Sequence, residues 1–556
     1  MPAGSRQSPK SIVWVTIIVL VGLAIRIMAI AHWGTGAIES EGTEYARIAQ
    51  NLRSGIGYVG LTSPGLELVF PPLYPFLIAV ASFLTPDYEW AGRIVSLTFQ
   101  TLLPLPVFGI ASLLYGRRTG FAAAILIILS PLLVNLSFMV LSEAIYLPLI
   151  LTATYLVLLA LNSSSTRHYC VLGLVFGLAY LTRQEAVASL LIALFLTVCL
   201  GKGSTTARCK RAAAALALFS AVALPEVVYL YHATGQIRLE AKSPIFFMEQ
   251  VRSAIARQNH EAIPEEWAEH AIDADLQRTG TKNRPEADVI RDTTVHSSQA
   301  TRNLKMGMRQ NIPIFLAQLD SRWLGGPFLP ALAFLGAVRR PWRRRLFAGH
   351  LFVVLVPLAA VAATFSFSGW TDNRYYFLLI PFLSIWAASG LVALGAWAKA
   401  SAMQVGWPRF APEFMQWAAP GVIVLLLALY PISGVRSLYD LQQDSRRTQY
   451  VKQMGSWIRE QGNHPATIMD LSTPLAFYAG ANWVHFPYCD GSLALRFLDA
   501  AKVDYVVLRQ SEKYTPYYQD WVTHGIPDPR AEPIYQRTDS EGTRITLVRW
   551  HHQPTP

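Results

Sequence analysis

Charge is what this chain has least of: Asp, Glu, Lys and Arg make up 15% of its 556 residues, where a soluble protein carries about a quarter. Cysteine is scarce too. The four are Cys170, Cys199, Cys209 and Cys489, and only Cys489 falls in a segment read below as external, so no disulfide framework is implied. Metal and nucleophile motifs are absent: there is no HExxH, GxSxG or P-loop pattern, which argues against cytosolic nucleotide hydrolysis. His260 and His270 stand alone, and His551 and His552 close the chain, so no metal motif emerges. No internal repeat is seen, and the only low-complexity stretch is the serine run at 163–165.

What is present is apolar length. Hydrophobic residues reach 52% and come in long blocks, the mark of a polytopic membrane protein. The run Ile12 to Trp33 is too long for a signal-peptide core and no small-residue cleavage site follows, so it reads as a spanning helix. Ten more stretches follow, near 91–115, 120–140, 142–161, 169–183, 185–201, 212–234, 325–338, 347–368, 374–398 and 418–435.

Charge gives the orientation. With the N-terminus inside, the alternate segments hold Arg6 and Lys10; Arg117 and Arg118; Arg167; Lys202, Arg208, Lys210 and Arg211; Arg339, Arg340, Arg343, Arg344 and Arg345; Lys399 and Arg409, with no acid before Glu413. This is the positive-inside pattern, and it accounts for the net charge of +11 without nucleic acid. The expected fold is therefore mainly α, with about eleven transmembrane helices in residues 1–435, external loops at 34–90 and 235–324, and an external tail at 436–556.

In the first loop, Tyr45, Ile48, Ala49 and Leu52 form one apolar stripe, with Glu44, Arg47 and Asn51 elsewhere, an interfacial helix pattern. "FPPLYPFLIAVASFL", 70–84, is expected to dip into the interface without crossing, because a crossing would invert the downstream charge pattern. The tail reads as a small α/β domain: a helix at 447–461, strands at "ATIMD" and "VDYVVL" with the helix "GSLALRFLDAA" between them, and a last strand "RITLVRW".

The first loop is also acidic, with Glu39, Glu41, Glu44, Glu67, Asp87 and Glu89 against Arg47 and Arg53. Acids suit the first turn of a helix, facing the positive end of its dipole; beside an outer membrane surface one of them could also be a general base. Arg26, Arg183 and Arg374 stand at the outer ends of spans, against the charge trend. They read either as snorkelling side chains or together as a pocket for an anion, since guanidinium binds two phosphate oxygens at once. Glu143, Glu185 and Glu226 lie near the same level; pairing with Arg183 is the favoured reading of Glu185.

"EGTEYARIAQNL", "FPPLYPFLIA", "LSEAIYLPL", "LPEVVYLYHATG" and "NRYYFLLIPFLSIWAASGL", in that order, resemble the C-type superfamily of membrane glycosyltransferases. The likeness is to bacterial relatives of protein O-mannosyltransferases and of lipid A aminoarabinose transferases, and it covers about 1–435. It implies transfer of a sugar from a polyprenyl-phosphate donor to a hydroxyl of a glycan, lipid or protein acceptor at the outer face of the plasma (inner) membrane. In the family an Asp four residues before a Tyr is the base or its close partner; here that spacing gives Glu41 with Tyr45, and Glu39 is the fallback. The usual following acid is Gly42, and the Glu-Lys before the Pro-Pro is Val69-Phe70. Glu143 matches the second acidic position. Arg374 and Tyr375 match an Arg-Tyr near the donor pocket, where Arg183 and Arg26 would assist. No cofactor is required by this reading, and a divalent metal is left open. A lipid or sugar transporter (flippase) and a non-catalytic relative are the alternatives; the absence of halves of matching hydropathy speaks against the first.

Overall fold

The computed structural model describes residues 9–34, 36–62, 65–242, 309, 312–313, 328–338, 346–366, 377–407, 410–433, 435–462, 465–487, 489–510, 514–538 and 544–552. They fall into two compact units, one built from 1–34, 93–225 and 296–442, the other from 35–92, 226–295 and 443–556. The segment between the first two apolar stretches thus groups with the tail.

The first unit is helical. Helices α1 (Pro9–Trp33), α4 (Tyr88–Leu102), α5 (Pro104–Tyr115), α6 (Arg117–Leu129), α7 (Pro131–Leu136), α8 (Glu143–Leu161), α9 (Thr166–Tyr180), α10 (Ala186–Leu200) and α11 (Thr205–Thr234) occupy the apolar stretches of the first half. Phe328–Val338, Phe347–Ser366, Leu379–Gln404 and Phe410–Ser433 follow. Within the described residues each expected stretch is thus mostly helical, and two are interrupted. The stretches at 91–115 and 120–140 each break where a proline opens a new helix, at Pro104 and Pro131, because proline lacks the N–H that would continue the ladder but fits the first turn. Among the described residues, five helical stretches are long and apolar enough to cross a membrane: Ile12–His32, Tyr88–Tyr115 (α4 and α5 taken together), Glu143–Leu161, Thr205–Thr234 and Leu379–Gln404.

One apolar core runs through this unit, with Leu103, Ile110, Ile127, Leu151, Phe176 and Ile385 almost fully buried. Glycines let backbones touch, the usual device where lipid offers no hydrophobic drive between helices. A Cβ on Gly173 of α9 would lie 2.1 Å from the Ala215 carbonyl of α11, and one on Gly336 would lie 1.9 Å from the Trp386 carbonyl.

The second unit holds the first loop, the C-terminal end of α11 and the tail. Helices α2 (Ser40–Arg53) and α3 (Leu73–Ala81) form in the loop, in the expected places. The tail contains a five-stranded sheet of order β2-β1-β3-β5-β4, made of β1 (Thr467–Met469), β2 (Asn482–Val484), β3 (Tyr505–Arg509), β4 (Ala531–Thr538) and β5 (Arg544–Trp550). β1 runs parallel to β2 and β3, whereas β5 is antiparallel to β3 and β4. Alternate residues feed two cores. Met469, Val506 and Val548 face Phe497 and Trp521 on one side; Ile468, Val507 and Leu547 face Met454, Ile458 and Leu475 on the other. Helices thus cover both faces. Asp470, at the end of β1, is fully buried and takes a two-pronged ion pair from Arg509 of β3, with Nη2 at 2.7 Å from Oδ2.

Candidate functional site

Helix α2 carries most of the first-loop acids. Glu39 is its N-cap residue but makes no side-chain cap, and Glu41 stands half-buried in its first turn. That start is held by the tail. The Thr43 hydroxyl lies 2.7 Å from the Thr473 hydroxyl, and both are in reach of the Ser40 carbonyl. The Ile38 N–H donates to the Tyr478 hydroxyl at 3.0 Å, and that hydroxyl donates to Glu89 Oε2 at 2.7 Å. Lys452 pairs with the other oxygen of the buried Glu89 at 2.7 Å. Sequence reasoning missed this tail contribution. The contacts are single hydroxyls and one lysine, and no periodicity marks them.

Tyr45 lies one turn beyond Glu41. Its ring is buried, edge-on to Phe70 at 5.1 Å and to Tyr74 at 5.0 Å. Its described contacts are thus with the loop's own aromatic cluster.

Glu44 corrects the expectation of a helix-end charge on the polar side of α2. It is 1% exposed. Its carboxyl accepts the Leu61 N–H at 2.8 Å and the Thr62 N–H and hydroxyl at 3.2–3.3 Å. Burial pushes the Glu44 carboxyl above the usual carboxylate range against these donors. Glu67, equally buried, accepts the Val69 N–H at 2.7 Å and the Phe70 N–H at 3.3 Å. Gly60 packs against both acids: a Cβ there would fall 1.7 Å from Glu44 Oε1 and 3.1 Å from Glu67 Oε2.

In the first unit, Glu143 opens α8, buried, and receives Arg183 Nη1 at 2.5 Å; Arg183 Nη2 reaches Glu185 at 2.9 Å. The sequence pairing of Arg183 with Glu185 holds, and Glu143 joins it. The guanidinium is therefore bracketed by two carboxylates, and its charge is already matched. Arg26 differs. It is 0% exposed, its Nη1 donates to the Gly22 carbonyl at 3.1 Å, and its buried Nε and Nη2 have no hydrogen-bond partner among the described residues. A buried guanidinium with unmatched N–H groups costs several kcal/mol, which makes it a candidate anion contact. Arg374 and Tyr375 lie outside the described residues. Among those described, no three His, Cys, Asp or Glu side chains are grouped to hold a metal ion.

Residues 70–229 match the family model of dolichyl-phosphate-mannose-protein mannosyltransferases. No curated protein sequence matches the chain. Among solved structures, the Archaeoglobus fulgidus oligosaccharyltransferase AglB, in complex with an inhibitory peptide and a dolichol-phosphate, superposes with a TM-score of 0.61 at 14% identity, over 96% of this chain and 74% of that one. ArnT from Cupriavidus metallidurans, bound to undecaprenyl phosphate, superposes with a TM-score of 0.56 at 12% identity, over 98% of this chain and 99% of that one. The chain carries the fold of the C-type superfamily of membrane glycosyltransferases, with the mannosyltransferase family's sequence match over 70–229.

Proposed function

We propose that this protein is a membrane glycosyltransferase that moves a sugar from a polyprenyl-phosphate donor to an acceptor hydroxyl at the outer face of the plasma membrane. The observation that carries the reading is Arg26: a fully buried guanidinium whose Nε and Nη2 lack partners among the described residues calls for an anion, and a lipid phosphate is one. The resolved phosphate lipids in AglB and ArnT support a phosphate of that kind.

In the proposed reaction the acceptor oxygen attacks the anomeric carbon. The bond from that carbon to the phosphate oxygen breaks, and the lipid phosphate departs with the electron pair. Glu41 takes the hydroxyl proton, an effect worth about 10²–10⁴-fold. Arg26 and Arg374 stabilise the charge that gathers on the leaving phosphate. One in-line displacement inverts the anomeric centre. Arg183 supports the site through Glu143, which it orients. The acceptor is a glycan, lipid or protein hydroxyl.

Mass spectrometry of the cell envelope with and without the protein tests the reading. A glycan, lipid or protein that loses one sugar in its absence supports it. An unchanged envelope, with no transfer by the purified protein from any polyprenyl-phosphate sugar, refutes it. Arg26→Ala should raise the apparent donor KM strongly, since a charged hydrogen bond is worth about 1.5–3 kcal/mol.

A further inference from the structure

We propose that the tail binds a neutral, hydroxyl-rich glycan at the carboxyl edge of its parallel strands, between His485, Tyr514 and the Asp470–Arg509 pair, and that this glycan is the acceptor. In naming the ligand an acceptor the inference rests on the proposed transfer reaction; as a glycan site it stands apart from it.

Sheet topology singles out that edge. β1 runs parallel to β2 and to β3, so the carboxyl ends of all three lie together. The chain leaving β1 turns to one face of the sheet, where the helix Pro474–Ala479 buries Leu475 and Ala476. The chains leaving β2 and β3 turn to the other face, where the helices Gly491–Ala500 and Pro516–His524 bury Phe497 and Trp521. Connections that part in this way open a crevice at the strand ends, the usual seat of a ligand in such sheets. Asp470 follows β1 and Arg509 ends β3, both buried. A buried ion pair is no more stabilising than well-packed apolar side chains of the same size, so stability alone does not account for this one.

The wall beside the pair is aromatic and already fixed. The half-buried rings of His485 and Tyr514 stand 5.4 Å apart, and half-buried Trp483 lies 5.5 Å beyond His485. Nδ1 of His485 is 2.8 Å from the Phe486 carbonyl. A carbonyl can only accept, so Nδ1 carries the hydrogen and Nε2 is the acceptor of the neutral ring. Tyr514 donates to the same carbonyl at 2.9 Å, and Tyr517 donates to the Pro487 carbonyl at 2.8 Å. Next to Tyr514, Thr515 is fully buried, and its hydroxyl has no hydrogen-bond partner among the described residues. Such a group at a strand edge calls for a polar ligand or water.

These groups select the ligand. Arg509 is bound to both oxygens of Asp470, so the pair offers no net charge to a phosphate. Rings with polar tips, set among a few fixed hydrogen-bonding groups, suit a molecule with apolar C–H faces and a rim of hydroxyls. A sugar has that form.

The edge also adjoins the turn that carries the proposed base. The Thr473 hydroxyl is 2.7 Å from the Thr43 hydroxyl and donates to the Ser40 carbonyl at 3.2 Å. Glu41 stands between those two residues in the first turn of α2. Only Leu471 and Ser472 separate Thr473 from Asp470.

The test uses the full chain in lipid nanodiscs. The probe is the neutral oligosaccharide fraction released from the envelope of the protein's own cell, with the charged fraction and a peptide digest of envelope proteins as rivals. The neutral fraction should slow hydrogen exchange over 470–473, 483–487 and 514–518 and leave 491–500 unchanged. His485→Ala and Tyr514→Ala should weaken its binding about tenfold or more, while Tyr514→Phe, which keeps the ring, retains most of it. Exchange over β3 and β5 checks that each variant keeps its sheet; if one does not, the wild-type protection map still decides. In the transfer assay His485→Ala should raise acceptor KM about tenfold, with donor KM and kcat at saturating acceptor kept. Protection by the peptide digest or the charged fraction alone overturns the site, as does wild-type affinity in both folded alanine variants. Glycan binding at this edge without transfer would leave the site standing and remove the transferase reading. Transfer with acceptor KM unchanged in His485→Ala would do the reverse.

Discussion

Tyr478→Phe removes one hydroxyl from the tail and tests whether the tail holds the start of α2. That hydroxyl donates to the buried Glu89 carboxylate at 2.7 Å and accepts the Ile38 N–H at 3.0 Å. A hydrogen bond to a carboxylate contributes about 1.5–3 kcal/mol and a neutral one about 0.5–1.5 kcal/mol. Their sum is an upper figure, because Lys452 still pairs with Glu89; about 2–4 kcal/mol is the working range. Local opening of 36–46 should therefore grow about 30- to 700-fold, at tenfold per 1.4 kcal/mol. Hydrogen exchange read by mass spectrometry resolves this segment from the helices of the first unit. Faster exchange over 36–46, with those helices unchanged, is the expected result. Exchange within threefold of wild type over that segment would refute the reasoning and make the tail a bystander.

Asp470→Ala strands the Arg509 guanidinium against the sheet; removing one partner of a buried pair costs about 3–5 kcal/mol, and limited proteolysis should cut the tail first. Gly60→Ala drives a methyl group into Glu44 and Glu67, so it should loosen the hold of Glu44 on Leu61 and Thr62, read by faster exchange over 58–62. Reporter fusions at Arg167 and Lys202 should report cytoplasm, and fusions at Pro64 and Pro556 the outside; a cytoplasmic signal at Pro556 would overturn the eleven-span scheme.

The helices were legible because apolar runs and basic turns carry them on the surface of the sequence. Where the reading failed, a single residue decided. Pro131 splits the one helix expected at 120–140 into two. In the tail, Pro533 and the irregular pairing beside it, on a strand whose side chains are mostly exposed, hide β4 from any alternation count. Glu44 looked like a solvated helix charge because its neighbours in sequence are polar; its partners Leu61 and Thr62 are 17 or more residues away, and no local pattern announces a buried carboxyl. Arg183 and Glu185 were readable as a pair because they are two residues apart, whereas Glu143 came to the same guanidinium from 40 residues away. Arg26 stood out by charge in an apolar run, and its burial adds what the sequence lacked.

The central claim is that Glu41 accepts the proton as the sugar moves. Purified wild-type protein and Glu41→Gln, reconstituted in liposomes with a labelled polyprenyl-phosphate sugar and an envelope extract as acceptor, test it most directly. The account predicts that Glu41→Gln lowers kcat by about two orders of magnitude or more with donor KM little changed. Normal turnover by Glu41→Gln beside a dead Glu143→Gln would move the base to α8, and normal turnover by both would contradict a catalytic role for the first loop.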